Sequence, residues 1–168
     1  MKEIEQIIQE MGRQVDEATR QLARLGNSQG LFTEGTVRPA VIQLFHERGF
    51  ELTRIFSRMG YESDGDSMEI DLLGVGRGMA IIIEVKLRLE KADVDEVLLK
   101  LSRFLDIFPH FKGRRLYGAV AGMSIDQGVD RYSYKRGLFV LAQSGENMII
   151  LNDDKFKPRE FSEMTTDD

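Results

Sequence analysis

The sequence predicts an α/β domain, a mixed β-sheet core flanked by helices, joined to an N-terminal coiled-coil helix. Three observations predict it. An a/d heptad pattern runs through the first 28 residues. Two stretches rich in aliphatic residues, 68–75 and 79–89, flank the turn Gly76-Arg77-Gly78. Segments of helical and strand period then alternate, which permits a parallel crossover beside hairpins.

Residues 1–28 read as one amphipathic helix. Ile4, Ile8, Met11, Val15, Ala18, Leu22 and Leu25 recur at alternating spacings of four and three. A helix that packs on its own domain usually shows a wider stripe of period 3.6. The narrow seam favours a short coiled coil joining two or more copies of the chain. Gly26-Asn27-Ser28 is expected to end this helix as a hinge. The chain therefore divides into an oligomerisation segment, 1–28, and a globular domain, 30–161.

A second helix is expected over 31–48, with Val37, Val41, Leu44 and Phe45 on one face. Pro39 implies a kink or a late start, and Gly49 a stop. Residues 52–56 suggest a first strand and 60–66 a loop. After the hairpin, a helix over 93–108 presents Val94, Val97, Leu98, Leu101 and Leu105. A strand follows at 116–121 and a helix at 126–135. Two strands, 138–142 and 148–151, surround a hairpin signal at 143–147. The polar tail from Asn152 is expected to fray.

Composition narrows the chemistry. The 168 residues include no cysteine and only two histidines, His46 and His110. Disulfides and cysteine-held zinc or iron–sulfur centres are excluded. A bound metal would rest on oxygen ligands, which favours Mg²⁺, Mn²⁺ or Ca²⁺. His46 and His110 lie beside helix ends and read as surface or packing residues. No apolar run is long enough to cross a membrane. The acidic amphipathic start is unlike a signal peptide, so a cytoplasmic location is expected. The net charge of −5 counts mildly against a nucleic-acid partner.

The candidate chemistry lies on the central hairpin. Strand alternation puts Ala80, Ile82, Glu84 and Lys86 on one face. Pairing Val75 with Met79 sets Asp71 opposite Ile83, and a one-residue bulge sets it opposite Glu84. Either way the two acids are cross-strand neighbours. Two buried carboxylates repel, and a divalent cation relieves that repulsion. The Val85 carbonyl, between the two side chains, is a further candidate ligand. Lys86 could orient an attacking water or stabilise charge on a phosphoryl group. The plainer reading is a cross-strand ion pair on a solvated face. The apolar neighbours on both faces of this strand weigh against it. Glu34 projects along the apolar stripe of the second helix. It is either part of the site or a carboxylate favoured near a helix N-terminus.

Asp71, then Glu84-Val85-Lys86 on the next strand, with Glu34 on the preceding helix, resembles the PD-(D/E)XK nuclease superfamily. Further stretches, Glu69-Ile70-Asp71-Leu72-Leu73, Gly118-Ala119-Val120-Ala121-Gly122 and Gly137-Leu138-Phe139-Val140-Leu141, resemble an uncharacterised bacterial group within it. The resemblance implies a restriction-endonuclease-like core of helix, three strands, helix and strand. It implies that Asp71 and Glu84 are metal ligands, that Lys86 is the catalytic lysine, and that Glu34 assists. Ile70 stands where the name-giving proline would be.

The implied activity is Mg²⁺- or Mn²⁺-dependent hydrolysis of phosphodiester bonds in DNA through a metal-activated water. Paired N-terminal helices could bring two sites together to cut both strands. Lys86, Arg88, Lys91, Lys100, Arg103, Lys112, Arg114, Arg115, Arg131, Lys135 and Arg136 supply candidate phosphate contacts. Tyr117, Tyr132 and Tyr134 suit either base stacking or core packing. The alternative is a non-catalytic nucleic-acid-binding or protein-assembly module, oligomerised by the N-terminal helix.

Overall fold

The structure, a computed structural model, describes residues 2–162, and of residues 22–26 the backbone alone. Helix α1 spans Lys2–Phe32. It continues through Gly26-Asn27-Ser28, where the sequence suggests a hinge. An interior glycine costs a helix only about 1 kcal/mol. Burial of Phe32 further on offsets that cost.

The next turn, Thr33–Val37, is a π turn: the Arg38 N–H bonds the Thr33 carbonyl five residues back. Helix α2, Arg38–His46, follows directly. Pro39 accounts for the wide turn. It offers no N–H, and in an ordinary helix its ring would meet the carbonyl of residue 35. In the first turn of α2 the missing N–H is tolerated. Val37, Val41 and Phe45 are buried, as their spacing predicts. Gly49, at φ +83°, ends the helix.

Six strands follow, hydrogen-bonded in chain order. They are β1 (Leu52–Ser63), β2 (Asp66–Gly76), β3 (Met79–Leu89), β4 (Arg115–Ile125), β5 (Phe139–Ser144) and β6 (Asn147–Ile150). Helix α3 (Lys91–Ile107) connects β3 to β4, and helix α4 (Val129–Lys135) connects β4 to β5. Those two pairings are parallel, while β1–β2, β2–β3 and β5–β6 are antiparallel. The order helix, three strands, helix, strand is the one the resemblance implies.

Two expectations change here. The segment 60–66 is strand, not loop, and only Asp64-Gly65 form the turn, both at positive φ. Met59 and Tyr61 pack on the core while Arg58, Gly60 and Glu62 face out. That alternation is hard to read on an edge strand interrupted by glycine. The tail from Asn152 is docked as far as it is described. The buried Asn152 amide accepts the Val140 N–H and donates to the Leu138 carbonyl. Phe161 is buried and donates its N–H to Leu116. The expected fraying at Thr165–Asp168 lies outside the described residues.

The sheet separates two cores. One packs Ile70, Ile82 and Val120 against Val94, Val97, Leu101 and Phe104 of α3. The other packs Leu72, Ile81, Ile83 and Val85 against Phe32, Val37, Val41 and Phe45. Gly118 lets α3 sit close: a Cβ there would lie 2.5 Å from a Leu101 methyl. Among the described residues no helix is long and apolar enough to cross a membrane.

Candidate active site

The site begins with the β2–β3 register. A two-residue turn, Arg77-Gly78, pairs Gly76 with Met79, one step from the pairing the sequence suggests. The ladder runs to Leu72 opposite Ile83 and goes no further. Asp71 is therefore next in line opposite Glu84, and the alternation of β2 breaks there, with Ile70 in the α3 core and Leu72 in the other. In place of a ladder bond, the Asp71 carboxylate accepts the Val85 N–H at 2.8 Å. The strands part at the point where the acids meet.

Glu84 lies on the α3 side of the sheet and is only 2% exposed. Its Oε2 is 3.0 Å from Lys100 Nζ, and its Oε1 is 3.7 Å from Lys86 Nζ. Lys86 also faces Asp93 at 3.9 Å, and Lys100 faces Glu96 at 3.5 Å. Burial, then the negative charge of Asp71, pushes the Glu84 carboxyl up to about 7, against the pull of Lys100 and Lys86. Burial works to lower the Lys100 pKa. The Glu84 carboxylate and Glu96 outweigh it, so Lys100 is held above the ordinary lysine value.

The other side of the opening belongs to α1. Gln29 Nε2 donates to the Val85 carbonyl at 3.3 Å. Gln29, Glu34, Arg58, Glu69 and Asp71 line a cleft of about 420 Å³. Glu34 enters it from the π turn and pairs with Arg38 at 3.8 Å. Arg58 is unusual. It is a non-glycine residue at φ +53°, a conformation that costs energy and clusters at functional positions. Its guanidinium lies beside Gly30, 3.5 Å from where a Cβ there would stand.

Asp71 thus bonds Val85 and shares the cleft with Glu34, while Glu84 and Lys86 face α3, where Glu84 still feels the charge of Asp71. Among the described residues, no three His, Cys, Asp or Glu side chains converge. The oxygen donors in reach are two carboxylates and the Val85 carbonyl. All are hard oxygen donors of the chemistry Mg²⁺ or Mn²⁺ takes, and the proximity of two acids favours a cation.

Sequence reading passed over the roles of Lys100, Gln29 and Arg58. Lys100 lies three residues after Val97 and beside Leu101, at the border of the α3 stripe, where a lysine is unremarkable. Gln29 did carry a signal. It follows Ile8, Val15 and Leu22 at the same heptad position, and a polar residue there interrupts the seam. Nothing in the sequence marks the backbone of Arg58.

Several other candidates have structural duties. Arg88 grips Asp126 through two nitrogens at 2.8 and 3.1 Å. Arg103 pairs with Asp66, and Arg114 donates to the Gly76 carbonyl. Tyr117 is buried against Phe50. Tyr132 and Tyr134 donate to Asp95 and Asp153. His46 is exposed and pairs with Glu51 at 2.6 Å, and His110 is exposed.

No family model matches the chain, and no curated protein does. Solved structures resemble it in part. A repair endonuclease from Pyrococcus abyssi superposes with a TM-score of 0.43 at 17% identity, over 64% of this chain and 45% of that one. A protein of unknown function gives 0.42 at 19% identity, over 76% and 62% of the two chains. A protein of unknown function from Silicibacter pomeroyi gives 0.39 at 16%, over 72% and 68%. The chain spans less than half of the endonuclease's length. The likeness is one of backbone arrangement, and the reading of the site rests on the site's own geometry.

Proposed function

We propose that this chain is a Mg²⁺- or Mn²⁺-dependent nuclease of the PD-(D/E)XK type, hydrolysing phosphodiester bonds in DNA. Glu84 carries the reading. A carboxyl 2% exposed is set beside Asp71 where two strands part, and its pKa is pushed up to about 7. A purely structural ion pair needs no second acid forced against it.

Asp71, Glu84 and the Val85 carbonyl would hold the ion. When bound, the ion supplies Lewis acidity toward a phosphoryl oxygen and lowers the pKa of a water. The chain's own groups do the rest. Lys86, its side chain 27% exposed, can orient the attacking water and stabilise charge on the phosphate. Lys100 favours the ionised form of Glu84 and fixes its direction. Gln29 donates to the Val85 carbonyl and the Asp71 carboxylate accepts the Val85 N–H, so the two hold this residue from the peptides on either side. Arg58, which has no ion pair among the described residues, is placed to meet a phosphate across the cleft. Glu34 assists from the same cleft. Helix α1 joins copies of the chain.

The test is incubation of the purified protein with plasmid, branched and single-stranded DNA in Mg²⁺, Mn²⁺ or EDTA. Metal-dependent cleavage that Asp71→Ala and Lys86→Ala both abolish supports the reading. Cleavage that survives either substitution comes from a contaminant and removes it.

A second reading also has an observation behind it. Lys100 and Lys86 already face both oxygens of Glu84. A non-catalytic module that binds nucleic acid or assembles with protein could rest in that state. It is favoured if a calorimetric titration with Mn²⁺ gives no binding heat while the chain remains oligomeric.

A further inference from the structure

The outer part of α1 presents Ile4, Ile8, Met11 and Val15 at 60–63% exposure, and the domain does not cover them. A helix with its apolar face in water is marginal by itself. The same seam continues toward the domain. One heptad after Leu22 comes Gln29, bonded to Val85, and one heptad after Leu25 comes Phe32, 3% exposed in the core. The domain therefore sits on the seam side of its own helix.

We propose that α1 pairs antiparallel with α1 of a second copy of this chain, through Ile4, Ile8, Met11, Val15 and Ala18. The proposal rests on self-association and not on the nuclease reading.

Charge favours this orientation. Residues 2–12 carry Lys2 against Glu3, Glu5 and Glu10, a net −2. Residues 13–25 carry Arg13, Arg20 and Arg24 against Asp16 and Glu17, a net +1. Antiparallel pairing lays each acidic half on a basic half, whereas parallel pairing lays acid on acid. The helix is complementary to itself, as an isologous two-fold interface requires, and that selects a second copy over an unrelated helix.

Sterics point the same way. In a parallel pair the partner helix would run along the seam into Gln29 and Phe32. The domain already occupies that side, and the two domains would compete for one space. In an antiparallel pair centred near Arg13, Ile4 lies opposite position 22 of the other copy, short of its Gln29.

Layering a over d positions sets Ile8 over Ala18 and Val15 over Met11, centred near Arg13. The two Gln29 positions then lie at opposite ends of roughly 32 residues of helix, ~48 Å at the usual rise. On the nuclease reading, the paired clefts meet a duplex at points about 14 base pairs apart rather than at the two strands of one break.

The chain has no cysteine, so single cysteines can be spin-labelled cleanly in the full-length protein. Glu3→Cys and Arg13→Cys both fall on exposed positions. Antiparallel pairing gives a two-copy mass by light scattering, with label distances within about 20 Å at Arg13→Cys and about 30 Å at Glu3→Cys. Two copies with short distances at both positions mean a parallel pair and overturn the orientation. A single-copy mass, or long distances at both positions, overturns the pairing itself. DNA cleavage enters neither readout, so loss of this proposal and loss of the nuclease reading are separable.

Discussion

The outer half of α1 and the β2–β3 opening contradict ordinary folding preferences in opposite ways. The helix holds Ile4, Ile8, Met11 and Val15 in water, and the opening holds Asp71 and Glu84 against each other, Glu84 out of water. Each arrangement is unfavourable in the isolated chain, and the two call for different kinds of relief. Apolar side chains are relieved by more apolar surface. Paired carboxylates are relieved by positive charge. Lys100 and Lys86 relieve the acids only in part, since Glu84 remains near pH 7. The difference teaches that the two regions should respond to different variables: the opening to metal and pH, the helix to protein concentration.

The largest effect should come from the opening. Lys86→Ala is expected to lower metal-dependent DNA cleavage by roughly 10²–10⁴-fold, measured as initial rates on supercoiled plasmid. On the proposed pairing of α1 the variant should keep its copy number, because Lys86 is not among the paired positions. A normal rate would remove Lys86 from the chemistry.

Next comes pH. The folded Glu84 pKa, about 7, lies above its ordinary 4.5, so the folded state binds this proton more tightly than the unfolded chain. Its stabilising contribution is complete below pH 4.5 and is lost as pH rises to 7. Without metal, that loss is about 3 kcal/mol, from 1.36 kcal/mol per unit. Urea melts in EDTA read it, and Glu84→Gln should flatten that part of the profile. Mn²⁺ should raise the melting temperature at pH 8 and much less at pH 5. Equal stabilisation at both would mean that the ion binds elsewhere.

Lys100→Met tests the buried ion pair. Removing one partner of such a pair leaves a charge uncompensated, and with Lys86 still near Glu84 the cost should be about 2 kcal/mol at pH 8. At pH 5, where Glu84 is protonated, most of that cost should disappear. A cost independent of pH would assign Lys100 to packing alone.

The smallest effect on stability should come from the helix. Val15→Glu is expected to dissociate the copies in light scattering, yet shift the stability of the domain by no more than about 0.5 kcal/mol. A collapse of the domain would show that α1 packs on it more closely than its exposure indicates.

Local chemistry was readable wherever short-range patterning controls the outcome. The aliphatic run of β3 and the glycines of its turn mark the hairpin, and the α3 stripe marks a helix whose Val94, Val97 and Leu101 are indeed buried. The reading failed where a distant contact decides. Phe32 in the core carries α1 through Gly26-Asn27-Ser28. Asn152, hydrogen-bonded to Val140 and Leu138, holds a tail whose composition looks disordered. The register was one residue out because a two-residue turn and a three-residue turn look alike around Gly76-Arg77-Gly78.

By itself, then, the sequence determined the faces of β3, the seam pattern of α1 and the adjacency of Asp71 to Glu84, since periodicity and turn residues act over a few positions; it did not determine the faces of β2, where Ile70 and Leu72 enter opposite cores. Tertiary structure alone decided that Lys100 reaches Glu84 from α3, that Gln29 reaches Val85 from α1, and that Arg58 turns into the cleft. Those contacts join residues 16 and 56 positions apart, or depend on one strained dihedral angle. Only packing of the two helices on opposite faces of the sheet brings them to the place where β2 and β3 separate.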